Sequence, residues 1–136
     1  MPQASLADYR SGSDDAQQRR MAVAVLDRFC DDRLPDMAAE HPDEYPVRFQ
    51  HCWRRLAYDR SLKTDWRERV EQPFVENAPL GAVQRAAGVA SRLAVDPPRY
   101  AWVLQESSLL YRGEIDPAEC DHVDPATVLD QTRTYP

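Results

Sequence analysis

Eleven prolines against four glycines set the outer limits on how this chain can fold. Proline lacks a backbone N–H and its ring crowds the preceding turn, so a helix tolerates it at the first position and is broken or kinked by it elsewhere. Pro35, Pro46, Pro73, Pro79, Pro97, Pro117 and Pro125 therefore divide the sequence into segments whose apolar spacing is read one at a time.

Helical spacing dominates those segments. Ser13 reads as a cap followed by Asp14 and Asp15, with Ala22, Val25, Leu26, Phe29 and Cys30 on one apolar face and a stop near Leu34, before Pro35. Residues 35 to 46 read as a connector with a short turn around Met37 to Glu40. Pro46 then opens a helix in which Phe49, Cys52, Trp53 and Leu56 face inward, while His51, Arg54 and Tyr58 face outward. Thr64 caps a short helix with Trp66 and Val70 inward, ended by Pro73. Leu80, Val83, Ala87, Ala90 and Ala94 mark a fourth helix. A fifth has Asp96 as its cap, Pro97 at its first position and Gly113 as its stop. Its main stripe is Tyr100, Val103, Leu104, Ser107, Leu110 and Tyr111, with Trp102 and Leu109 on the opposite side, so it is either central or at an interface. Asp116-Pro117 and Asp124-Pro125 announce two further short helical turns.

No segment shows the two-residue alternation of a half-buried strand. The expected fold is all-α: a compact bundle of about five main helices with short C-terminal helical turns. Residues 1–13 are expected to form a loose N-terminal arm, and 14–136 a single α-helical domain. The length of 136 residues suits one domain. With 29% charged residues and no apolar run near the roughly 20 residues of a membrane span, no membrane association is expected. The N-terminus, without a basic region followed by an apolar stretch, points to the cytoplasm. Three widely spaced cysteines, Cys30, Cys52 and Cys120, read as reduced thiols rather than a disulfide framework.

The feature most suggestive of function is a basic island in a chain of net charge −6. Between positions 48 and 69, Arg48, Arg54, Arg55, Arg60, Lys63, Arg67 and Arg69 face only Asp59, Asp65 and Glu68, a local net charge of +4, and Trp53, Tyr58 and Trp66 lie among them. Guanidinium groups suit planar anions. Arg48, His51, Arg54, Arg55 and Tyr58, joined by Arg67 and Arg69, form the candidate binding face. Asp59 is the expected helical partner of Arg55. The expected partner is an anionic small molecule, an acidic protein segment or RNA, in no order, with no cofactor called for.

Other readings compete with a non-enzymatic binding module. Residues 86–106 fit the spacing of a helix-turn-helix, with Arg99, Trp102 and Gln105 as base-reading positions, although Ala94 stands where a glycine is usual. A small enzyme would need a pocket containing His51 or His122. Neighbouring His51 and Cys52 diverge by about 100° on a helix and cannot act as a base and nucleophile pair directly. Cys120, His122, His41 and Cys30 lack the paired short spacings of a zinc site, so no metal is expected. Trp102 and Leu109 offer a homodimer surface if one side of the fifth helix is open.

Overall fold

In a computed structural model, described for the backbone of residues 3–134 and the side chains of 14–132, the chain is helical, with no strand among the described residues. Helix α1 (Gln3–Leu26) continues through a π-helical segment (Asp27–Arg33) into α2 (Leu34–Glu40). There follow α3 (Gln50–Leu62), a 3-10 turn (Trp66–Glu68), the single turn α4 (Phe74–Asn77), α5 (Leu80–Val95), α6 (Pro98–Tyr111), a second 3-10 turn (Pro117–Glu119) and α7 (Pro125–Thr134). No helix among the described residues is long and apolar enough to cross a membrane.

Helix α5 lies at the centre, with α1 and α3 packed on it, α6 on α3 and α7 on α6. The alanines explain that position: Ala82, Ala86, Ala87 and Ala90 are buried, and small side chains let two helices approach one backbone closely. Leu26, Cys30 and Leu34 from the first helical stretch and Trp53, Leu56 and Ala57 from α3 are fully buried around it. Gly113 ends α6 in the left-handed region at φ 65°, its N–H bonded to Leu110 O and that of Glu114 to Leu109 O, the paired bonds of a Schellman stop. Asp116 and Asp124 cap the following turns as their sequences promise, accepting from the N–H groups of Ala118 and Ala126.

Several local expectations give way to tertiary structure. The first helix does not stop before Pro35. The Leu34 N–H reaches back five residues to Phe29 O, and this wider π turn carries the chain past a ring that would crowd the Asp31 carbonyl in a regular α-helix. Ser13 falls within α1, because a helix anchored by its packed C-terminal half extends through weak cap signals. Where a loose arm is expected, the backbone from Gln3 is already part of α1; the side chains of residues 1–13 lie outside the described residues. Pro46 precedes α3 rather than opening it; the cap residue is Phe49, whose extended backbone takes it out of the helical phase and leaves it 64% exposed instead of buried. Asp65, not Thr64, caps the turn at 66–68, accepting from Arg67 N–H.

Candidate ligand-binding site

The outward face of α3 is not open to solvent over its whole length. After Leu62 the chain reverses at Lys63, makes the capped turn at Trp66 and returns so that Phe74 lies flat on Tyr58, ring centroids 4.0 Å apart, with Trp66 edge-on to both at 5.5 and 5.6 Å. Arg19 of α1 fixes the far end of this return, donating to the carbonyls of Val75 and Ala78 at 2.9 and 2.8 Å. Between the return and α3 is a pocket of about 540 Å³, lined by His51, Arg54, Arg55, Tyr58, Trp66, Gln72, Pro73, Phe74 and Val75. Tyr58, Trp66 and Phe74 put three aromatic rings in its wall, and no lining residue is acidic.

Four of the seven residues proposed from sequence, His51, Arg54, Arg55 and Tyr58, meet in this pocket. Tyr58 is buried under Phe74 and Trp66 instead of facing outward. Arg48, Arg67 and Arg69 are exposed and lie outside it, with Arg67 turned toward Asp65 at 3.5 Å. Trp66, Gln72, Pro73, Phe74 and Val75 escaped sequence reasoning as site residues, because a helical phase carries no information about where the chain after the helix returns. The one available signal was Phe74 directly after Pro73 in a polar stretch, an aromatic with no local helix to bury it.

The two pocket arginines differ electrostatically. Arg54 donates Nε and Nη2 to the two Asp31 oxygens, both at 2.9 Å, Nη2 also to Asp27, and Nη1 to the Tyr58 hydroxyl at 2.7 Å. The Asp31 hydrogen bonds above all hold it in its charged form, well above the ordinary value. Arg55 donates Nη1 to Ser108 Oγ at 2.6 Å and Nη2 to Gln105 Oε1 at 2.7 Å, both neutral acceptors. Burial pulls its pKa down, against the attraction of Asp59 and with the repulsion of Arg112. Asp59 is therefore not the direct partner of Arg55. It is bound instead by Arg112 at 2.8 and 3.1 Å, Ser108 Oγ at 2.6 Å and Trp66 N–H at 3.0 Å, which fixes the floor of the pocket to α6. Burial works against the charge on Arg112, but the Asp59 bonds outweigh it.

Of the base-reading positions on α6, Arg99 is exposed, the Trp102 indole donates to Glu44 O at 3.0 Å and stacks on His122, and Gln105 is bonded to Arg55. Trp102 and Leu109 are both half-buried. His51 is exposed and stacks on Phe49, while Cys52 is half-buried. His122 Nδ1 lies 2.7 Å from the buried Glu106, which also accepts from the N–H groups of Asp121, His122 and Val123. Burial pushes the Glu106 carboxyl up, yet the bonds from His122 and Asp121 prevail and hold it below its ordinary value. All three cysteines are free thiols. Among the described residues no group of three or more His, Cys, Asp and Glu side chains is arranged to hold a metal ion. In comparisons with known proteins, the chain matches no family model, no curated protein and no solved structure.

Proposed function

We propose that the protein is a binding module for a small organic anion, seated in the pocket between α3 and the returning segment. The observation that carries this reading is Arg55: a half-buried guanidinium in an aromatic-walled pocket, whose two hydrogen bonds both go to neutral side chains. A half-buried cation without a directly bonded carboxylate is costly to maintain, and an incoming anion would supply a direct ion pair where Asp59 acts only through Ser108. Tyr58, Trp66 and Phe74 would contact the apolar body of the ligand. A pocket of about 540 Å³ lies in the range that holds small molecules, and the mixture of apolar wall with few polar groups is typical of such sites. The three unpaired cysteines favour a reducing compartment such as the cytoplasm. An amide-resolved NMR titration with mixtures of aryl and alkyl acids tests the reading. Saturable shifts should concentrate between residues 51 and 75, and a titration without saturable shifts there would refute it.

A further inference from the structure

Resting on that reading, we infer that the pocket selects a single carboxylate attached to an apolar body and discriminates against phosphates and other multiply charged anions. The charge arrangement requires this. Two guanidinium groups line the pocket, but Arg54 already has Asp27 and Asp31 bound to it, a trio with net charge −1. Those carboxylates stand one guanidinium away from the ligand space. Arg55 alone is left for direct pairing, through donors not taken by Ser108 and Gln105, since a guanidinium carries five N–H groups.

The Tyr58 hydroxyl belongs to the Arg54 cluster and not to Arg55. Its oxygen accepts from Arg54 Nη1, and the 8% exposed ring forms part of the pocket wall, so Tyr58 adds no positive charge to offset Asp27 and Asp31. One guanidinium with spare donors matches the two oxygens of a single carboxylate. A phosphate monoester brings about −1.5 to −2 charges at neutral pH, and its excess charge would meet the field of Asp27 and Asp31. Nucleotides and RNA are disfavoured on the same ground.

Isothermal titration of the full chain at pH near 8 with hydrocinnamate, hydrocinnamide and phenethyl phosphate tests the inference, because the three share a phenyl group and a short linker. Hydrocinnamate should bind best. The amide should be about tenfold weaker or more, having lost the charge-assisted bonds, and the phosphate about tenfold weaker through like-charge repulsion. Phosphate binding equal to or tighter than hydrocinnamate overturns the selectivity and leaves the pocket reading standing. Equal binding of amide and acid overturns anion recognition. No binding by any of the three overturns both. In folded Arg55→Gln, checked by circular dichroism, the acid should fall to the level of the amide, and a preserved acid preference would refute the role of Arg55. If that variant does not fold, the comparison of the three ligands on the unaltered chain decides alone.

Discussion

Replacing Asp59 by Asn probes the polar centre on which the pocket rests. The carboxylate is 1% exposed and accepts four hydrogen bonds: from Trp66 N–H, Ser108 Oγ, Arg112 Nε and Arg112 Nη2. An asparagine of the same shape keeps one acceptor oxygen and turns an NH2 group against donors on the other side. It also removes the main counter-charge of Arg112, whose side chain is 7% exposed. Breaking one side of a buried ion pair costs about 3–5 kcal/mol. Arg112 Nη2 keeps Asp65 at 3.1 Å, so the loss should fall toward the lower end, about 3 kcal/mol. In urea unfolding followed by far-UV circular dichroism, the midpoint should drop with little change in slope, and melting should fall by roughly 10 °C. Ser108→Ala, which removes one of the four donors, should cost only about 1 kcal/mol. A loss below about 1 kcal/mol for Asp59→Asn would show that Arg112 and Asp59 are not a dry, mutually dependent pair, and the proposed anchoring of the pocket floor would fail with it.

Trp53 is fully buried and Phe49 is 64% exposed, so Trp53→Ala should cost about 3–5 kcal/mol and Phe49→Ala about 0.5 or less in the same urea titration. Similar losses from the two would contradict the start of α3 at Gln50. Glu106, held below its ordinary value of 4.5, contributes stability that is fully present above that pH and is lost as pH falls through its lower folded value. Glu106→Gln should therefore flatten the acid limb of a stability profile, and an unchanged limb would remove the His122 contact as its source. The Cys30 thiol, fully buried and pushed up to about 12 chiefly by burial, should resist iodoacetamide at pH near 8 and react only on unfolding, as read by peptide mass spectrometry.

What the sequence made legible was what local chemistry decides. The buried stripe Val83, Ala87 and Ala90 of α5 follows from a 3.6-residue period, and Gly113 ends α6 because only a residue at ease in the left-handed region closes that turn. The caps Asp116 and Asp124 were equally local. Phe49 was misplaced because a helical phase was carried one residue beyond the helix it describes. Pro35 misled because the rule that proline ends a helix assumes the four-residue bond, and the chain there uses five. Helical spacing brings His51, Arg54, Arg55 and Tyr58 near one another on α3, but it does not encode what covers them: Phe74 reaches Tyr58 only after a chain reversal at Lys63.

The basic island shows why a charge count along the chain is a poor measure of the potential that a ligand meets. Coulomb energy depends on separation in space and on the medium between the charges, not on distance in sequence. Asp27 and Asp31, more than twenty positions before Arg54, stand four residues apart on the first helical stretch and reach it where that stretch packs on α3. Arg112, more than fifty positions after Asp59, takes the carboxylate that helical spacing would have assigned to Arg55. With Asp59 bonded to Arg112, the hydrogen-bond partners of Arg55 are the neutral Ser108 and Gln105. The cation best suited to an outside ligand is thus the one whose sequence partner has been claimed from elsewhere in the fold. Arg55→Lys sharpens the point, since it keeps the charge but loses the planar fork. It should retain part of the preference for an acid over its amide while weakening the contacts to Ser108 and Gln105. Complete loss of that preference would mean that fork geometry, and not charge alone, governs the pocket.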